Sequence, residues 1–215
     1  MQSKDHRLLG RELAKKLLIN ESILKTNLFV LGNVLPDRLP HTYLCRLSEG
    51  EKYRGHNFNN TKNKIESYLN ELMGKKDLSY KDYVKLGILC HYLADAFTYP
   101  HNSIFTDTLK EHVAYEKQLH LFWQSQNAVW AVSSPINCPF IQSSDFLYDL
   151  YMLCHIEYEK EKMCPATDVH YIITMTHIIL ANIVTKPSAE GFYYIREARN
   201  PSQRWHKSLI IVPTT

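Results

Sequence analysis

Three features of the sequence predict an all-α fold. Apolar residues recur at three- and four-residue spacing along most of the chain. No run alternates with the period of two that a half-buried strand needs, and Gly, Pro and capping residues divide the apolar stretches into helix-sized pieces. With 215 residues, 45% apolar and 22% charged, only 7 Gly and 9 Pro, the chain is long enough for one domain with a real core and is not a low-complexity polymer. We expect a single domain over residues 1–215 built from about seven helices.

The elements follow in order. Leu8, Leu9, Leu13, Leu17 and Leu18 make one stripe and predict a helix over 6–19. A second helix over 21–31 runs into GNVLPDRLP, whose prolines are expected to end helicity and leave a turn. Residues 58–73 read as a polar helix stopped at Gly74. Ser79 is a suitable N-cap for a helix over 80–98, closed by Pro100. Further helices are expected over 107–132, 143–163 and 167–185, the last two separated by Cys164-Pro165. Beyond Pro187 the tail reads as irregular.

Composition narrows the function classes. Lys and Arg total 25 against 22 Asp and Glu, a net +3, which gives little of the basic surface a nucleic-acid binder needs. No stretch approaches the ~18–20 uninterrupted apolar residues of a membrane span, so none is expected. The N-terminus is charged every two or three residues and lacks the apolar core of a signal peptide. The 5 Cys are odd in number and form no CxxC pair, which fits a reducing compartment. Together these lead to the expectation of a cytoplasmic protein.

The 11 His carry the chemistry. In the second half of helix 80–98 apolar residues cover every face, yet His91 and Asp95 lie there at i,i+4 and share a side. A buried carboxylate needs a cation or strong hydrogen-bond donors. Taken alone, the two residues read either as a hydrogen-bonded core pair or as two metal ligands. Pro100 then ends the helix, His101 follows it, and the next helix repeats His and carboxylate at i,i+4 as His112 and Glu116. The run H-x3-D-x5-H-x10-H-x3-E places five candidate ligands in 26 residues. Imidazole nitrogen and carboxylate oxygen are the mixture that catalytic zinc sites accept.

The segment GILCHYLADAFTYPHNSIF, followed by EHVAYEKQL, resembles the signature region of the zinc-dependent phospholipase C family, which is related to the fungal single-strand nucleases. The carboxylate Glu116 and the short preceding loop are closer to the phospholipases. FVLGNVLPDR resembles the family loop whose Asp is a zinc ligand and suspected general base, which puts Asp37 in that place. His56 in RGHNFNN fits a following family His better than His41 does, and His6 matches an early His on the first helix. The resemblance runs through the motifs of residues 1–120. It implies an all-helical phospholipase C fold and two or three zinc ions. One would be held by Asp37, His56, His91 and Asp95. A second would be held by His101, His112 and Glu116. A third would be held by His6 and a bridging Asp95, completed by the N-terminal residue, Met1.

The implied reaction is attack of metal-bound hydroxide on a phosphodiester or phosphomonoester, with a phosphate-ester small molecule or phospholipid headgroup as the partner. Secreted members begin with Trp where this chain has Met-Gln. Arg38, next to Asp37, suits bidentate phosphate binding rather than a choline cation, and Tyr53 is a candidate wall of the headgroup pocket. Alternatives on the same site are a single-strand nuclease or nucleotidase, with 14 Tyr available for stacking, and a catalytically silent zinc-binding scaffold. Outside the constellation, His120 reads as a surface or core residue, His170 and His177 as structural, and Cys90 as core. His41, His155 and His206 have no patterned partner. The Lys-rich stretch 61–85 reads as a solvated face.

Overall fold

A computed structural model describes residues 1–38, 56–125 and 141–185. Within them the chain forms eight α-helices and one 3-10 turn, with no strand. The helices are α1 (Ser3–Leu17), α2 (Ile23–Gly32), α3 (Leu35–Arg38), α4 (Phe58–Met73), α5 (Tyr80–Ala96), α6 (Leu109–Ser125), α7 (Ser144–Tyr158) and α8 (Pro165–Val184), with the 3-10 turn Tyr99–His101 between α5 and α6.

Helix α5 is the axis of the fold and packs against α1, α2, α4 and α8. Leu89, Cys90 and Leu93 on it are fully buried, as its lack of a polar face predicts. Ile65 and Leu69 of α4, Phe29 of α2 and Ile179 of α8 close the core around it, each such side chain contributing roughly 1.5–3 kcal/mol of burial.

The α2–α5 crossing depends on two glycines. A Cβ on Gly87 would lie 2.1 Å from the Phe29 carbonyl oxygen, and one on Gly32 would lie 2.2 Å from that of Val84. Backbone therefore meets backbone, and α2 lies close enough for its C-terminal Asn33 carbonyl to reach an imidazole on α5.

Local chemistry sets most helix starts. Ser22 and Ser143 cap α2 and α7, Asn57 caps α4, and Ser79 with Asp82 forms a capping box on α5. Several boundaries differ from the sequence expectations: α1 spans Ser3–Leu17 rather than 6–19, and α7 ends at Tyr158 rather than at 163. GNVLPDRLP is not simply a turn, because Leu35–Arg38 makes one helical turn with Pro36 near its start, where a missing N–H costs nothing. Helix α6 starts at Leu109 because Thr108 and Glu111 bond reciprocally: Thr108 N–H donates to Glu111 Oε2 at 2.7 Å and Glu111 N–H to Thr108 Oγ1 at 3.4 Å. The expected residues 126–132 of that helix lie outside the described residues. Helix α8 starts at Pro165, with Cys164 as its N-cap.

Helix α8 is long and apolar enough to cross a membrane by length and composition, although 56% of its most apolar window is buried inside the protein. Its apolarity reflects packing against α5, α6 and α1. The Lys-rich face behaves as expected, with Lys75 and Lys85 paired to Glu71, and Lys75 also to Asp82.

Candidate metal centre

Helix α5 supplies the floor of the site. His91 and Asp95, one turn apart, are 0% and 1% exposed. His91 Nδ1–H donates to the Asn33 carbonyl at 3.0 Å, which leaves Nε2 as the lone-pair nitrogen. That nitrogen makes no hydrogen bond and faces two carboxylates, Asp95 Oδ2 at 3.2 Å and Asp37 Oδ1 at 3.6 Å.

Asp95 points its two oxygens at two different sets of groups. Oδ1 lies 3.0 Å from the Met1 amino group and 3.1 Å from His6 Nε2. Oδ2 lies against His91 Nε2, with His101 Nδ1 at 3.7 Å. The His6 and His91 rings stack with centroids 3.8 Å apart, and the edge of His56 meets His91 at 5.3 Å.

Backbone carbonyls orient the other imidazoles. His56 Nε2–H donates to the Pro36 carbonyl at 3.0 Å, and His101 Nδ1–H donates to the His56 carbonyl at 3.1 Å. His101 Nε2 is thereby left to face Glu116 Oε1 at 3.3 Å, with His112 Nε2 also 3.3 Å from that oxygen. Three sets of groups offer ligand atoms within 4.8 Å of one another: His6, His91 and Asp95; Asp37, His56 and His91; and His101, His112 and Glu116. The Met1 amine lies between the first and third, 2.8 Å from Glu116 Oε1 and 3.0 Å from His101 Nε2.

The electrostatics are those of a site arranged around positive charge. Burial opposes ionisation of Asp95, but His101, the Met1 amine, His6 and His91 hold its carboxyl well below the usual carboxylate range. Glu116 is partly buried, and the Met1 amine with His101 and His112 keeps it far below that range. Burial pushes against the Met1 ammonium, yet Asp95 and Glu116 raise it to about 11. Burial and the neighbouring His91 lower His6 to about 4. Burial disfavours charge on His91 as well, but Asp95 and Asp37 win and raise it.

The residues fit a metal by their own chemistry. His91 Nε2, Asp95 Oδ2 and His6 Nδ1 are buried without a hydrogen bond, and two of these three are an imidazole lone pair and a carboxylate oxygen turned toward each other. Such an arrangement is repulsive unless a cation lies between them.

The structure brings together His6, Asp37, His56, His91, Asp95, His101, His112, Glu116 and Met1. Arg38 is exposed at the end of α3, beside Asp37. Tyr53, like His41 and His206, lies outside the described residues. Two histidines differ from their sequence readings. His120 is not an isolated surface or core residue, since its Nδ1 lies 2.6 Å from Asp5 Oδ1, next to His6. His155, for which no partner was expected, stacks on Phe58 with centroids 3.5 Å apart and lies 2.7 Å from Asn102 Oδ1. Cys90 is core, as expected.

Sequence reasoning missed Ser3, whose hydroxyl donates to Asp37 Oδ2 at 2.5 Å. A serine near a chain start carries no signal of that role.

Imidazoles and carboxylates thus converge from six segments of an all-helical fold on groups that could hold metal ions. The sequence profile of the zinc-dependent phospholipase C family matches residues 5–164, and the chain belongs to that family. The matched stretch contains every candidate ligand except Met1. No curated protein and no solved structure matches the chain.

Proposed function

We propose that this protein is a zinc-dependent phosphoric ester hydrolase of phospholipase C type, and that its cluster holds two or three zinc ions. The observation that carries this reading is the division of Asp95. One oxygen faces His6 and the Met1 amine, and the other faces His91, as a bridging carboxylate requires. Asp37, His56 and His91 would complete the ion on the Oδ2 side, and His6 with the Met1 amine the ion on the Oδ1 side. His101, His112 and Glu116 would hold the remaining one. Zinc supplies a Lewis acid for a phosphoryl oxygen and brings the pKa of water near neutrality.

The chain's own groups divide the remaining work. His112, Glu116 and His101 are 27%, 16% and 13% exposed, against 0% for His6 and His91, so substrate enters over α6. Asp37, held by Ser3 and 12% exposed, would accept the proton of the attacking water. Arg38 offers a planar fork to the phosphate, and Tyr53 would wall the headgroup pocket. Among the described residues Cys90, Cys154 and Cys164 are free, and a reducing compartment such as the cytoplasm is the proposed setting.

The test is metal analysis of the purified protein, then a screen of phosphocholine, phosphoinositol, nucleotide and single-stranded DNA esters with added zinc. Hydrolysis of a phospholipid-type ester, abolished by a chelator and restored by zinc, is expected. Protein that binds zinc but cleaves none of these esters would leave the scaffold reading in its place.

A further inference from the structure

Among the described residues beyond 125 none belongs to the candidate ligand sets, yet Asp168 reaches toward the site. Asp168, in the first turn of α8, is fully buried. Its Oδ2 accepts the Tyr99 backbone N–H at 3.0 Å and the Tyr115 hydroxyl at 2.9 Å. Its Oδ1 accepts the Tyr158 hydroxyl from α7 at 2.8 Å. Tyr99 opens the 3-10 turn that carries His101, and Tyr115 immediately precedes Glu116 on α6.

One oxygen atom thus joins the two segments whose side chains make the most exposed ligand set. His101 Nε2 and Glu116 Oε1 must share a metal, and a drift of ~0.5 Å between their backbones is enough to spoil such a constellation. The two segments also meet directly, the Tyr99 and Tyr115 rings lying edge to face at 5.4 Å, and Asp168 adds the polar tie between them.

We propose that Asp168 is a positioning residue for the metal set His101, His112 and Glu116, acting by clamping the Tyr99 turn and Tyr115 onto one carboxylate oxygen. This rests on the proposed function, since it presumes that the set binds zinc. Asp168 itself lies outside the stretch that matches the family profile, which ends at residue 164, whereas its tyrosine partners lie within it. Its two oxygens have separable roles: Oδ2 serves the site, whereas Oδ1 ties α8 to α7.

The experiment compares Asp168→Ala, Tyr115→Phe and Tyr158→Phe with the wild type and with His112→Ala, using cobalt as the probe. Ion stoichiometry and the visible cobalt absorption are read against a competing chelator, with thermal stability measured alongside. Asp168→Ala and Tyr115→Phe should weaken by about 10–100-fold the same ion that His112→Ala loses, while the other ions stay bound. Tyr158→Phe, which removes a buried hydroxyl from the other oxygen of the same carboxylate, should keep the wild-type metal profile. Tyr115→Phe is informative even if Asp168→Ala does not fold. Wild-type cobalt binding in Tyr115→Phe, or equal weakening in both tyrosine variants, would overturn the proposal. A wild-type protein that takes up no cobalt would instead remove the proposed function, and this inference with it.

Discussion

His91 Nε2 and Asp95 Oδ2 face each other at 3.2 Å, one turn apart on α5, with no hydrogen bond between them. The Asn33 carbonyl takes the ring's only other nitrogen, so the neutral ring presents a lone pair to a carboxylate. Either a proton or a metal must occupy that gap, and Asp95 and Asp37 accordingly raise the His91 pKa against the effect of burial.

Metal and proton therefore compete at His91. Zinc binding should release protons, and the zinc concentration for half-saturation should rise as pH falls from about 7.5 to 5.5. Titration calorimetry in buffers of different ionisation enthalpy measures the release directly. Binding that is indifferent to pH and buffer would show that His91 is not a ligand.

The Met1 amine makes a second prediction. With its pKa raised from 8.0 to about 11, it stabilises the metal-free fold fully below pH 8, and that stability is lost as pH rises through 11. N-terminal acetylation should abolish this alkaline loss relative to the unmodified chain. A few extra residues before Met1 should lower zinc content by one ion. Unchanged metal content and activity in the extended protein would exclude the amine as a ligand.

Asp37→Asn keeps the volume and the Ser3 contact but removes the base. Its kcat should fall by ~100-fold or more while most of the zinc is retained. Activity within a few fold of wild type would remove Asp37 from proton transfer.

Gly87→Ala tests the helix crossing that brings the Asn33 carbonyl to His91. The added methyl meets the Phe29 backbone, which cannot rotate away, so the fold should lose about 2–3 kcal/mol or more in urea unfolding. Near-wild-type stability would mean that α2 and α5 are not held this closely.

Asp168 has its carboxyl raised to about 6 by burial, despite its three hydrogen bonds. A folded pKa above the unfolded value of ~3.9 stabilises below pH 4, and the benefit disappears as pH rises through 6. Wild-type protein, freed of metal, should lose up to roughly 3 kcal/mol relative to Asp168→Asn between pH 4 and 7. In that variant an amide oxygen can take the place of Oδ2. A stability gap independent of pH would contradict this.

Much of the site was legible because its residues break local rules. His91 and Asp95 stand out in a helix with no other reason to be polar, and His112 and Glu116 repeat their spacing one helix later. The short helix bearing Asp37 was hidden, since its prolines read as breakers although Pro36 is tolerated in a first turn. Along α8, Thr, His and Asn interrupt the apolar run without carrying charge, so the sequence shows no unbroken span although length and composition alone would allow one. Asp168 was not legible at all: its partners are a backbone N–H and two tyrosines from three separate segments, and no spacing encodes that convergence.

The central claim is that these side chains surround zinc. It is tested most directly by crystals of zinc-loaded protein and an anomalous difference map recorded at the zinc edge. The account predicts one peak bounded by His101, His112 and Glu116 and at least one more beside Asp95 and His91, with imidazole nitrogens about 2.0–2.1 Å away. A map with no peak among these residues, or with zinc only at surface histidines, would contradict it.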